Sequence, residues 1–216
     1  MLPAPSLSEI RKALGEKPVS LIGIIFAPPY TKIAAERIVP RLGYLNARTA
    51  AFLHFFCAGY GGYRFADDAE AIDELHYDDG TVIPWGFSQT RFAEFVTEME
   101  ESTSWKYSGE VDIILIEPRF SFSTREPELD FSEAIVYDIE SMVKDGAIDH
   151  PSRLFEAIIS FARSRGFATT ATGLSNKEGT RVLGQTAAEA IIELMPVSAQ
   201  RLWKRGVHYR VQDISR

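Results

Sequence analysis

Apolar residues along this chain fall into two rhythms: continuous runs of strand length, and stripes at the three-to-four-residue spacing of a helix. Ser6-x-x-Glu9 has the form of a capping box and Gly15 of a helix end, so a short helix opens the chain with Leu7, Ile10 and Leu14 on one face. Val19–Phe26 is a near-continuous apolar run and predicts a buried strand that Pro28-Pro29 stops. Thr31 then caps a helix through about Leu42. Ala50–Ala58 predicts a second buried strand, ended by Gly59-Tyr-Gly-Gly-Tyr63. Ser88 starts a third helix, with Phe92, Phe95, Val96 and Met99 in register. Val111–Ile116 predicts the third strand.

Beyond it, Pro118–Pro127 reads as irregular chain or an edge hairpin. Asp130-x-x-Glu133 has the form of a second capping box and predicts a helix to about Lys144. Pro151 occupies a first-turn position, and Leu154, Phe155, Ile158, Phe161 and Ala162 make one stripe that ends at Gly166. Residues 167–180 read as loop, a further helix closes before Pro196, and Val207, Tyr209 and Val211 alternate as a last strand. Strands alternating with helices, and apolar on both faces, predict an α/β fold. The expectation is a mostly parallel central sheet with helices on both faces, Rossmann-like or redox-dead thioredoxin-like, and a helical C-terminal half from about 130. Right-handed crossovers place the first strand between the second and third. Residues 1–216 read as one domain, carrying an acidic excursion at 64–84.

Composition narrows the function. Hydrophobic residues make up 45% of the 216 residues, enough for a full core. A net charge of −7 argues against non-specific nucleic acid binding and against an anionic membrane surface. The single cysteine, Cys57, excludes an internal disulfide and a cysteine-based metal cluster. With no signal-peptide pattern and no membrane-length apolar run, the expected location is cytoplasmic. Neither a cofactor fingerprint nor a metal-ligand pattern emerges, so no cofactor and no metal are expected.

Four groups of residues carry candidate chemistry. Glu110 and Asp112 stand two apart at the head of the third strand, a spacing that projects both carboxylates from one face. Gly109-Glu110-x-Asp112 followed by aliphatics resembles the second strand of the PD-(D/E)xK nuclease superfamily, which implies a magnesium site. No E-x-K strand follows, because Glu117-Pro118-Arg119 has the wrong parity. Phe26-Ala27-Pro28-Pro29-Tyr30-Thr31-Lys32 resembles the start of the thioredoxin-like fold. The places of the two cysteines carry Pro29 to Thr31, so that resemblance implies fold without redox activity.

The third group is positional. Ligands of open α/β sheets bind beyond the carboxyl ends of the strands. Those ends carry Lys32, then Tyr60 and Arg64 around the glycine-rich turn, then Arg119, and would together build a pocket for a small anionic ligand. The fourth group is the aromatics outside the helical stripes: Trp85, Trp105, Trp203, Phe65, Phe87, Phe120 and Phe122. Phe120 and Phe122 alternate beside Arg119 and Arg125, as on an edge that accepts a partner strand. Histidines 54, 76, 150 and 208 form no triad pattern, and His54 reads as a core residue.

Two function classes follow. One is a non-catalytic sensor or protein-interaction module of a larger cytoplasmic assembly, with a protein partner or a second copy as its ligand. The other is a hydrolase or transferase for a phosphorylated or nucleotide-like substrate, holding the anion with Lys32, Arg64 and Arg119 and using Glu110 or Asp112 for the chemistry. A metal-dependent nuclease is the third.

Overall fold

The computed structural model describes residues 2–4, 6–16, 19, 21–49, 53–76, 80–120, 127–165, 181–195, 197, 200 and 209–216. The main sheet has six strands in the order β1 (Leu2–Ala4), β3 (Leu53–Ala58), β2 (Leu21–Phe26), β7 (Asp112–Ile116), β10 (Ala134–Asp138) and β11 (Tyr209–Gln212). β1, β3 and β2 run parallel, whereas β7, β10 and β11 are each antiparallel to their neighbours. The first long strand does lie between the second and the third. The mostly parallel sheet is corrected, however, to a mixed one.

The reversal at β7 follows from the path of the chain that leads into it. Helix α3 (Gln89–Ser102) does not feed β7 directly. The segment 103–111 first returns beneath β2, with the Trp105 and Tyr107 rings 4.5 Å and 6.2 Å from Phe26. The chain therefore enters β7 from the carboxyl edge of β2, and a right-handed crossover no longer applies. Among the described residues the part after about 130 is not helical throughout, since it holds β10 and β11, and a hairpin of β8 (Pro118–Phe120) with β9 (Pro127–Leu129) precedes it.

The capping box at Asp130 opens no helix. Asp130 instead accepts from the Ser132 amide, and the β-branched and aromatic residues of Ala134–Asp138 pair as a strand. The capping role passes to Asp138, which accepts from the Ser141 amide at 2.9 Å and starts α4 (Ile139–Lys144). Ser88 caps α3 in the same manner. Asp68 adds to that cap by accepting from the Ser88 hydroxyl and the Thr90 amide, bonds that hold its carboxyl down at about 2.

The acidic excursion is a second sheet. β4 (Tyr60–Gly62), β6 (Val82–Phe87) and β5 (Glu70–His76) form an antiparallel trio, with Trp85 and Leu75 buried beneath it. Gly59 makes the switch from β3 to β4 at φ +76, where a Cβ would meet the Phe87 ring and Phe92 at 2.7 Å.

Strand parity divides the core. Phe26 faces α3, stacking on Phe95 at 5.8 Å. Phe55 points the other way and meets Phe155 of α5 (Pro151–Arg165) edge-on at 5.3 Å. Helix α1 (Leu7–Glu16) packs beside α3, and α6 (Arg181–Glu193) beside α5. An irregular helix also packs against α5. It passes through a π turn at Ala34–Ile38 and a 3₁₀ turn at Val39–Arg41 before settling into α2 (Leu42–Thr49). Pro40 explains the break, since it has no amide hydrogen to give and its ring crowds the preceding turn.

Candidate functional site

Antiparallel pairing sets Asp112 opposite Phe26, the last residue of β2. The head of β7 thus shares an edge with the carboxyl ends of β2 and β3. Asp112 is buried, and its Oδ2 accepts from the Ser108 amide at 2.9 Å. Burial pushes its carboxyl up to about 6, with the neighbouring Asp138 adding to the shift and the Ser108 bonds opposing it. Asp138 is its cross-strand partner.

Three tyrosines gather there. Tyr60 is buried and donates to the Ala27 carbonyl at 2.6 Å. Burial raises its hydroxyl well above the ordinary value, and Tyr107 and Tyr30 add to that. Tyr107 is raised by burial and by the charges of Tyr30, Asp112 and Glu110, and its hydroxyl donates to the Glu110 carbonyl. Tyr30 is 60% exposed and sets its ring edge-on to Phe87 at 6.3 Å. The edge therefore combines a carboxyl that exchanges a proton near neutrality with three hydroxyls that stay protonated there. Hydrogen bonding and proton exchange are within its reach.

The predicted residues distribute unevenly around this edge. Lys32 and Arg64 lie on the segments that leave β2 and β4. Glu110 is exposed in the bend ahead of β7, because the strand begins only at Asp112, so the two carboxylates do not share a strand face. Arg119 follows the far end of β7, where Ile116 pairs with Ile22, and its guanidinium binds Asp130 at 2.6 Å. It borders a 30 Å³ cavity with Leu21, Ile116 and Asp130, too small for a nucleotide-like ligand. The three cations do not converge. Phe120 lies on β8, but its side chain and all of Phe122 fall outside the described residues, as do Trp203 and His208. Trp85, Trp105 and Phe87 are buried and belong to the core.

An open groove of about 760 Å³ runs along the outer side of α3, remote from Asp112. Its rim carries Asp68, Glu94, Glu98 and Glu101, which disfavours an anion. Among the described residues no three His, Cys, Asp or Glu side chains are grouped to hold a metal, and no helix is long and apolar enough to cross a membrane.

The sequence places Tyr30, Tyr60 and Tyr63 at strand ends, but it does not bring Tyr107 to this edge. Grouping Tyr107 with them required the direction of β7. Fold and edge together define a mixed α/β protein with a tyrosine-lined strand edge. No known protein family, no curated protein and no solved structure matches this chain.

Proposed function

We propose that this chain is a non-catalytic sensor or protein-interaction module of a larger assembly, contacting its partner through the edge that carries Tyr30, Tyr63 and Arg64. One observation carries the reading. Arg64 sits at φ +66, in the left-handed region, with its guanidinium 5.3 Å from the Tyr63 ring. Such a backbone costs about 1 kcal/mol or more for a residue with a side chain. Here it holds an exposed arginine over a tyrosine that is 42% exposed, just past β4, whose Tyr60 ring shares Phe87 with the still more exposed Tyr30. Tyrosine and arginine are the residues that dominate partner contacts. The hydrolase reading lacks its anion clamp, because Arg119 occupies the opposite end of the sheet.

The test is site-specific photocrosslinking. A photoreactive residue at position 30 or 63 should capture one defined protein, whether a second copy or another chain. The same group at Lys12, an exposed control position, should capture none. Equal capture from all three positions, or none from 30 and 63, contradicts the reading.

A further inference from the structure

A second surface lies on the sheet face opposite α3. The irregular helix and α5 run side by side in the same direction there. Arg37 meets Asp149, Tyr44 and Arg48 meet Glu156, and Arg48 meets Arg163. Both elements carry arginines along their shared flank. Arg37 donates to the Asp149 carbonyl at 3.0 Å, and Arg163 to the Arg48 carbonyl at 3.5 Å. Arg41 and Arg37 stand close enough to His150 to hold its imidazole below the usual value, after burial.

These arginines differ from the others on the flank. Arg48 pairs with Glu156 at 2.8 Å and Arg153 with Asp149 at 3.7 Å. Arg37, Arg41 and Arg163 have no carboxylate within 4.0 Å among the described residues. Two of them are aimed by backbone carbonyls, which orient a guanidinium without neutralising it. In a chain with 30 acids against 23 bases, Arg37 and Arg163 are held in place without a direct ion pair, with Glu156 within electrostatic reach of Arg163. The π and 3₁₀ turns place Arg37 and Arg41, and such breaks in a helix gather at functional sites.

We infer that this flank binds an acidic segment of a protein partner, with Arg37, Arg41 and Arg163 receiving its carboxylates. The run from Asp149 to Arg163 spans about 20 Å along α5, the length of roughly six extended residues. Guanidinium forks match carboxylates in pairs of parallel bonds. Glu36, Asp149 and Glu156 stand among the arginines along the chain and would repel an unbroken phosphate backbone more than a segment whose carboxylates are spaced apart. Tyr44, 48% exposed with its hydroxyl committed to Glu156, offers a ring for the segment's apolar atoms. This surface stands apart from the tyrosine edge, and neither reading depends on the other.

The probe is a fluorescent peptide of about eight alternating Glu and Ser residues, titrated with the full chain at low ionic strength and followed by anisotropy. Binding is expected, weakening as salt rises and falling at least about tenfold in R37E/R41E/R163E. The single reversal R41E, at an exposed side chain that makes no ion pair among the described residues, gives the same direction if the triple variant fails to fold. The double variant Y30S/Y63S should bind the peptide as the parent does. Four results overturn the inference: no binding, binding indifferent to the charge reversals, loss of binding in Y30S/Y63S, or tighter binding of an oligothymidylate of equal length.

Discussion

Phe26 and Asp112 are direct partners across the antiparallel junction of β2 and β7. That pairing moves a buried carboxyl to the edge where the parallel strands end. It also separates Arg119 from Lys32 and Arg64. Most of what the molecule can do at this edge follows from the direction of one strand.

Asp112 makes stability depend on pH. Its folded carboxyl is raised to about 6 from an ordinary 3.8, so the folded state binds the proton more tightly than the unfolded chain. The benefit is complete below the ordinary value and is lost as pH rises through about 6. The shift corresponds to roughly 3 kcal/mol. Urea unfolding of the parent and Asp112→Asn from about pH 4 to about pH 8 should show the variant gaining on the parent by that order as pH rises. Parallel curves would contradict the burial of this carboxyl.

Gly23 leaves room for one ring. A Cβ there would lie 2.5 Å from the Phe55 ring, its cross-strand partner. Gly23→Ala should cost about 1–3 kcal/mol in chemical denaturation. The same change in a Phe55→Leu background should cost less, since the obstructing ring is gone. Equal costs in both backgrounds would mean the two residues do not touch.

Cys57 should be silent. It is buried in β3, and burial pushes its thiol up to about 12. Little thiolate exists at neutral pH, and reagent has no access to it. A disulfide dye should fail to label the native protein and should label it stoichiometrically in denaturant. Rapid native labelling would contradict the placement of β3.

Arg64→Gly separates stability from recognition. Glycine adopts φ +66 without strain, so the variant should gain up to about 1 kcal/mol in thermal or urea unfolding, offset in part by the greater entropy of its unfolded chain. It should also lose photocrosslinking from position 63. A variant less stable than the parent by a similar amount would show that the guanidinium serves the fold.

Some local signals in the sequence reported correctly, whereas the Thr31 hydroxyl donates to the Pro28 carbonyl instead of capping a helix. Ser6 and Ser88 cap the helices their spacing announces, and the apolar runs ending at Phe26, Ala58 and Ile116 are the central strands. Two kinds of feature were illegible. Asp130-x-x-Glu133 satisfies the form of a cap, but the β-branched residues after it pair with β7, and tertiary pairing outweighs a cap worth about 1 kcal/mol. The direction of β7 depends on Trp105 and Tyr107 packing beneath Phe26, a contact across some eighty residues that no spacing rule reveals. The site inherited that second gap. Glu110 and Asp112 look like a pair in the sequence, whereas in the structure Asp112 keeps company with Tyr107 and Asp138.

The burial of Asp112 beside the tyrosines is tested most directly by nuclear magnetic resonance with labelled carboxyl carbons. A titration of the folded protein should give Asp112 a midpoint at about 6, with the ring signals of Tyr107 moving through the same midpoint. A midpoint near the ordinary carboxylate value, or Tyr107 signals that ignore it, would place Asp112 elsewhere and contradict the edge described for this fold.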